Sequence, residues 1–598
     1  MKPRQLSWKW LLLGLVVLVL AGLAVLPRQI GTSANLRDRV AAALSTWTGA
    51  TVTLTEPLSV RYFPPLSLRG GFVLTDATKL PLVSSITAKD AKISLSVPDL
   101  LVGRIKIDAL RLGRPKITLK EAGGPAMSPP QTARALITNV LASAPVRTVR
   151  IGHGTIIAAS GELLLNELDA RFDASAGSGA LTALGSFDFR GETVRFAIDS
   201  GRISEAKGVQ IAPLTLRVTS DSVTAKASGT ARSGEGFALG GDMQVEMSSA
   251  RRFLNWVGMA LPPGDSLQGL SASGPFYWNG TTLTFDDGAL TLDGNAAVGL
   301  LAITMGARPR VEGTLAFEHL VLDPYLGGDA PAAADGPLLD WVLLKYFDAD
   351  LRISAAEVSA LTMDLGRGGF TITAKQGVIS SEVGELELCG GQAAGRVGLD
   401  LSAPRTKASL AGTLSGVAIE PCLQPFGLGV PIKGVGSLKI DVSTGGSTKE
   451  ELIRGLAGEL KITAQNGAVP IDFPQLMTGT GANGDGWSRE SVTPFDSLDA
   501  DCRLSAGHIW CQSFKMQTGR SLVSGSGGVD VGRQTLDWDF LIANPVAQLS
   551  ASQLVMETPP RVTIRGPLTQ PLIQRANHST LGDGSTQSGT GNAPVSPR

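Results

Sequence analysis

From Thr51 onward the chain repeats one pattern: an apolar side chain at every second position for a few residues, then a break of Gly, Pro, Asn or Asp. Ile93/Leu95/Val97, Ile105/Ile107, Ile117/Leu119, Phe187/Phe189 and Val194/Phe196/Ile198 are examples. A two-residue period puts the apolar groups on one side of a pleated strand, so the chain is expected to be mainly β with a dry face to hide. Gly supplies 72 of the 598 residues with no collagen-like period, which fits frequent turns and tight bends. In Gly103–Leu112 the apolar phase slips by one residue between Ala109 and Leu110, as a β-bulge requires, and a bulged sheet curves. Helical periodicity is confined to short pieces such as Arg251–Ala260 and the capping-box segment Ser447–Glu450. The expected architecture is an extended, bent antiparallel sheet forming a groove, built of repeated modules with a few short helices.

An internal repeat supports modules. Asp293-Gly-Asn-Ala-Ala297 recurs as Gly390-Gly-Gln-Ala-Ala394, and Gly313-Thr-Leu315 recurs as Gly412-Thr-Leu414. Both copies run on to an acid-Pro element, Asp323-Pro-Tyr-Leu326 and Glu420-Pro-Cys-Leu423. Lys+Arg and Asp+Glu are 53 each, which gives nucleic acid no basic surface to bind. Tyr numbers 4 and aromatics make up 5%, too few for the aromatic girdles of an outer-membrane barrel.

The N-terminus differs from the rest. Trp10 to Leu26 carries no charge and at about 1.5 Å per residue reaches about 25 Å, enough to cross a bilayer. Lys2, Arg4 and Lys9 precede it, so residues 1–9 are expected as a cytoplasmic stub and 10–27 as a single transmembrane anchor carrying Leu11, Leu15, Val19 and Leu23. A cleaved signal peptide is the alternative, with Gly22-Leu23-Ala24 as its cleavage site. Next, Ser33 caps an expected amphipathic, membrane-proximal helix over 33–48 whose stripe is Leu36, Val40, Ala43, Leu44 and Trp47. That stripe suits either a lipid interface or the sheet that follows.

The four cysteines are Cys389, Cys422, Cys502 and Cys511. A two-residue turn at Ala506-Gly507 sets Ser505 against His508 and, counting outward, Cys502 against Cys511, with Cα atoms about 4.5 Å apart in a non-hydrogen-bonded pair. Cys389 and Cys422 are candidates for a second bridge. Four reduced thiols are the alternative, but beyond the anchor the compartment is oxidising. A search for chemistry finds little. The four His (His153, His319, His508, His578) lack zinc-protease spacing, and no GxSxG or P-loop occurs. Gly479–Gly484 matches GxGxxG without the strand and helix that the motif needs. No catalytic residue, metal or cofactor is expected.

Several stretches together resemble the AsmA family of Gram-negative envelope proteins. At the N-terminus these are Tyr62-Phe-Pro-Pro-Leu-Ser-Leu68, Leu95-Ser-Val-Pro-Asp-Leu-Leu-Val-Gly-Arg-Ile105 and Leu112-Gly-Arg-Pro-Lys-Ile-Thr-Leu119. Toward the C-terminus they are Cys389-Gly-Gly-Gln-Ala-Ala-Gly395, Gly446–Gly458, Asn466-Gly-Ala-Val-Pro-Ile-Asp-Phe473 and Gly525-Ser-Gly-Gly-Val-Asp-Val531. Cys389 stands where the family carries an aromatic residue, and Pro470 where it carries a Gly. The resemblance implies an inner-membrane protein with its bulk in the periplasm, a bent sheet related to bridge-like lipid transfer proteins, and a part in outer-membrane lipid homeostasis. It implies no active site.

The expected segments after the helix are an N-terminal β module over 51–122, middle modules over 132–326, a C-terminal β region over 337–574 and a disordered tail over 577–598. Gly123–Gln131 and Gly327–Gly336 read as linkers. The expected function is to hold or convey phospholipid in an apolar groove, with Ile93, Leu95, Ile105, Ile107, Ile117 and Leu119 as the first groove-facing residues. The alternative is a closed β core serving as a scaffold or assembly factor for outer-membrane proteins, with other envelope proteins as partners. Alternation says that one face is dry, not what dries it.

Overall fold

The computed structural model describes residues 33–576 except 62–65, 81, 102–103, 121–145, 176–179, 207, 234–235, 260, 262–263, 307, 326–344, 361–362, 404, 424–431, 474–492, 520, 531–532, 544–559 and 568–570. The stub and anchor, both linkers, the Gly479–Gly484 loop and the tail lie outside the described residues. Among the described residues no helix is long and apolar enough to cross a membrane. The chain divides into two units, Met1–Ala360 with Arg367–Ile379 and Leu361–Gly366 with Ser380–Arg598.

In the first unit, α1 (Ser33–Thr48) forms where the apolar stripe places it. Leu36 and Val40 are fully buried, Leu44 is 1% exposed, and Trp47 packs beside them. Their cover is the protein's own sheet, made by Thr51–Arg61, Ser67–Thr75, Val83–Leu95 and Ile107–Gly113, paired antiparallel in that order. The stripe is therefore used within the fold. The short α2 (Val97–Leu101) follows the third strand. The bulge lies one residue earlier than the sequence pattern places it: Ser94 faces Ala109 while Leu95 faces Ile107, which leaves Asp108 as the extra residue.

Ile107–Gly113 next pairs with Val146–Ile157, and this junction is parallel. An antiparallel meander continues through Leu163–Ala174, Leu181–Phe189, Glu192–Ser200, Val209–Thr219, Thr224–Ser233 and Phe237–Met247. After α3 (Ala250–Val257) it resumes with Leu270–Trp278, Thr282–Leu292, Asn295–Thr304 and Arg310–Val321. Asp348–Ala360 then adds in parallel, followed by Gly368–Lys375 in antiparallel. The wholly antiparallel expectation is thus corrected at two junctions. Each comes after a connection of more than a dozen residues, which a parallel pair needs and a hairpin does not. Helix α3 is closed by Ser249, whose hydroxyl accepts from the Arg252 N–H, and by Gly258 in the left-handed region.

The second unit is an antiparallel meander from Gly391–Asp400 and Thr406–Ala418 through Lys433–Gly446, Ala457–Val469, Thr493–Ser505, His508–Thr518, Ser521–Asp530 and Thr535–Ala543 to Arg561–Pro567 and Leu572–Ala576. It carries α4 (Ile419–Leu423) and α5 (Lys449–Gly455). The capping box of α5 sits one residue later than read from sequence: Thr448 Oγ1 accepts from the Glu451 N–H at 3.2 Å, and Glu451 accepts from the Ser447 N–H at 2.8 Å.

The repeat is real, at a corrected offset. Thr282–Leu292, Asn295–Thr304 and Arg310–Val321 correspond to Val378–Leu388, Gly391–Asp400 and Thr406–Ala418, each starting 96 residues on (378 − 282 = 96). The first hairpin turns at Asp293-Gly294 and the second at Cys389-Gly390, all four residues at positive φ, as a tight two-residue turn requires. The connection to the third strand is one residue longer in the second copy, since Thr304 faces Arg310 whereas Asp400 faces Lys407. Each copy closes with a clasp between equivalent positions. In the first, Tyr325 hydrogen-bonds Asp293, and burial together with that carboxylate pushes the phenol's pKa up. In the second, Cys389 and Cys422 form a disulfide with Cα atoms 5.8 Å apart.

The packing around α1 generates a stability prediction. Ile93 is 1% exposed beneath the helix, whereas Ile198 is half-buried on a strand with no helix over it among the described residues. Ile93→Ala is expected to cost about 3 kcal/mol and Ile198→Ala about 1 kcal/mol, because only the first leaves a closed cavity. Hydrogen exchange of the two strands reads the difference; equal costs would contradict it.

Candidate functional site

Following the register from strand to strand lines up apolar side chains in rows. One row of the first unit runs Leu68, Ile93, Leu110, Val149, Phe172, Ala183, Ile198, Leu216, Ala227 and Met243. A parallel row continues from Phe196 through Val218, Val245 and Leu290 to Phe317. The chemistry along a row is uniform but its cover is not. Leu68, Ile93 and Leu110 are no more than 4% exposed beneath α1. Phe172, Ile198, Leu216 and Met243 are half-buried, and the cluster around Leu216 and Met243 consists of strand residues alone. Among the described residues this stretch of the apolar face has no second layer, which makes it the candidate binding surface.

The strands crease toward this face. Gly229 stands opposite Gly241 within it. A Cβ on Gly229 would lie 2.1 Å from the Gly240 carbonyl oxygen, and one on Gly241 would lie 2.1 Å from that of Ser228. The neighbouring backbone occupies the space where a side chain would begin, an approach only glycine permits. A depression of about 420 Å³ on the same strands is lined by both kinds of position, Leu216, Ala227, Met243 and Gly274 together with polar residues such as Arg217, Lys226, Asp242 and Gln244.

At one end of these strands α3 fastens the rim. Trp256 Nε1 donates to the Phe189 carbonyl at 2.9 Å, the two rings meet edge to face at 5.3 Å, and Arg252 lies 3.4 Å from Glu192. Burial pushes the Glu192 carboxyl up, but donation from Ser222 and Ser220 and the charge of Arg252 outweigh it and hold the group below its ordinary value. The rim is thus tied to the Phe189–Glu192 hairpin by both apolar and ionic contact.

The second unit has a comparable row: Gly412, Ile440, Leu460, Cys502, Cys511, Gly527, Trp538 and Ile564. The Cys502–Cys511 disulfide lies within it, with Cα atoms 3.7 Å apart. The expected turn is present, with Ala506 and Gly507 at positive φ and Ser505 facing His508. Further along, Met516, Val523 and Val562 are fully buried among Phe473, Phe514, Trp538 and Phe540, so this part of the face is closed by its own side chains.

The sequence-derived residues distribute as follows. Leu11, Leu15, Val19 and Leu23 lie outside the described residues. Leu36, Val40, Leu44 and Trp47 share one core with Ile93, Leu95 and Ile107, and Ile105 packs at its margin. Ile117 belongs to a separate cluster with Val83, Ile86 and Ile156, and Leu119 is half-buried. Ile93, Leu95 and Ile107 therefore pack against protein. Of the half-buried positions, Phe172, Leu216 and Met243 were not singled out, and Ile198 was named only as a strand position. The alternation of Val194/Phe196/Ile198 marks their neighbours as strand, yet alternation is the same under a helix and under nothing.

Among the described residues one group has metal-ligand character: His153, Glu167 and Asp169, all exposed, with ligand atoms within 4.8 Å of one another. His153 Nδ1 lies 2.7 Å from Glu167 Oε2. That hydrogen bond, with the nearby Asp169 charge, raises the His153 pKa. A raised value means that the stabilisation from this pair is complete below the unfolded value of about 6.5 and is lost as pH rises through the folded value. In an NMR titration the His153 midpoint is expected above 6.5, falling toward it in Glu167→Gln. An unchanged midpoint in that variant would refute the pairing.

Residues 339–514 match the sequence model of the AsmA family. The matched stretch takes in the Cys389–Gly395 element, the Gly446–Gly458 segment and Asn466–Phe473. The N-terminal motifs and Gly525–Val531 lie outside it. No curated protein matches the chain. Over residues 339–514, the chain is therefore similar to the AsmA family.

Proposed function

We propose that the chain holds phospholipid acyl chains on its uncovered apolar faces and conveys them within a bacterial envelope for outer-membrane lipid homeostasis, without chemistry. The observation that carries this reading is the row from Phe172 to Met243, apolar in every register position, with Phe172, Ile198, Leu216 and Met243 only half-buried and, among the described residues, no helix on it. Burial of about 0.8 kcal/mol per CH₂ retains an acyl chain on such a surface. A row of equivalent sites lets the chain shift from one strand to the next while that term stays nearly constant, and the head group stays in water. The match of residues 339–514 to the AsmA family agrees with an envelope role of this kind. The charge-free stretch Trp10–Leu26 behind Lys2, Arg4 and Lys9 supports an inner-membrane anchor with the N-terminus in the cytoplasm. Two disulfides support a periplasmic body. The closed core beneath α1 is the feature that favours the alternative, a scaffold for envelope proteins.

Lipid extraction and native mass spectrometry of the full chain test the reading. Phospholipid is expected to copurify with the wild type and to fall severalfold in Leu216→Glu, with the melting temperature kept within a few degrees because that site is half solvated. Ile107→Glu is expected to unfold the strands under α1 instead, because it places an unpaired charge in a closed core. A folded, lipid-free wild type, or undiminished lipid in Leu216→Glu, would overturn the proposal.

A further inference from the structure

The apolar face of the second unit is not closed along its whole length. Two residues along from the row through Gly412 and Ile440, a parallel row runs Val397, Leu410, Val442, Gly458 and Leu504. Val442 and Leu504 are buried, but Val397 is half-buried and Leu410 is 39% exposed. Beyond this row the strands end under α5. Thr444 Oγ1, on the same face as Val442, donates to the Leu452 carbonyl. A Cβ on Gly446 would lie 2.6 Å from Glu451 Cβ, so the first turn of the helix rests on the face where the strand carries no side chain.

On α5, Glu451, Arg454 and Gly455 stand at i, i+3 and i+4 and share one flank. Arg405 comes to them from the neighbouring strand, since the next residue, Thr406, pairs with Gly446. Together with Gly445 these residues line a depression of about 290 Å³, and its three charged side chains are exposed. Two guanidinium groups and one carboxylate thus stand at the margin of an apolar surface. A bare phosphate there would meet the Glu451 carboxylate, and a bare cation would meet two arginines. A group that bears both signs satisfies both. The planar guanidinium fork matches phosphate oxygens, and a primary ammonium offers three N–H donors to a carboxylate. The Ser447 N–H donates to Glu451 Oε2 at 2.8 Å, which holds that carboxylate in place while its remaining acceptor sites stay available to a ligand.

We propose that this depression is a head-group site for a zwitterionic phospholipid, with the phosphate on Arg405 and Arg454, a primary ammonium on Glu451, and the acyl chains along Leu410 and Val397. The proposal rests on reading the apolar faces as acyl-binding surfaces.

The test uses the full chain in maltoside micelles with phosphatidylethanolamine or phosphatidylglycerol carrying the same diazirine-labelled acyl chain, irradiated and mapped by peptide mass spectrometry. Both lipids have the phosphate and only the first has the ammonium. Adducts on Gly391–Asp400, Thr406–Ala418 and Lys433–Gly446 are expected to be about threefold higher with phosphatidylethanolamine, the scale of one exposed ion pair. Leu163–Ala174 through Val209–Thr219 are expected to take up both lipids equally. Glu451→Gln keeps the capping hydrogen bond and is expected to bring the two lipids to the same yield, whereas Arg405→Gln is expected to lower both by about threefold. Equal yields from the two lipids in the wild type, no adducts on these three strands, or a preference that survives Glu451→Gln would overturn the head-group site; adducts on the first unit would then leave the acyl-binding reading intact. Absence of adducts from both units would remove that reading and the site with it. Displacement of the phosphatidylethanolamine adducts by an equal concentration of free glycerophosphoethanolamine would assign the depression to a soluble head group and overturn the lipid assignment. The wild-type comparison depends on no variant.

Discussion

Backbone hydrogen bonds decide which side chains stand opposite one another, and the structure depends on keeping that register. Because the side-chain period is two, a slip of one residue would turn a whole strand's apolar set to the solvent side. The irregularities present preserve the face. Between Ser273 and Phe276 the pairing shifts, and Phe276 still meets Phe285 on the apolar side. A shift between Asp501 and Cys502 lets Cys511 and Phe514 share a face although they lie an odd number of residues apart. The bulges are where the sheet accommodates bending without losing its dry side.

Given one register, cover becomes the variable that distinguishes regions. Leu36, Val40 and Leu44 each stabilise the first strands by about 1.5 to 3 kcal/mol through burial, and the strands beneath them form an ordinary core. A few strands on, the same residue types meet no second layer among the described residues. An aromatic set around Phe473 and Phe540 closes part of the second unit in a third way, ring against ring at 6.0 Å. One strand pattern thus yields a helix-covered core, a self-closed core and an uncovered face.

Much of the secondary structure was legible in the sequence. The stripe Leu36–Trp47, the strand alternation, the Ala506-Gly507 turn and the Cys502–Cys511 pairing follow from local rules of period and turn chemistry, whereas Cys389 and Cys422 were only candidates until the loop between them was placed. Errors of one residue, at Asp108 and at Thr448, arise because adjacent candidates obey the same local rule and tertiary contact selects between them. The parallel junctions were not legible, since pairing direction depends on where a long connection returns and not on the strands themselves. The candidate site was the least legible part. Ile93 and Ile198 sit in identical patterns, and what separates them is a helix from elsewhere in the chain.

The clasped repeat bears on how such a protein changes length. A strand added at a sheet edge finds backbone donors and acceptors already aligned, and each one extends the surface by about 4.8 Å. A duplicated hairpin therefore brings its own apolar stripe into line with the existing row and lengthens it by about 9.6 Å. The Asp293–Tyr325 contact and the Cys389–Cys422 bridge secure equivalent loops with unrelated chemistry, as copies that have diverged while keeping the same geometry would. Reach in this fold grows in discrete steps, by tandem duplication, without redesign of the parts already present.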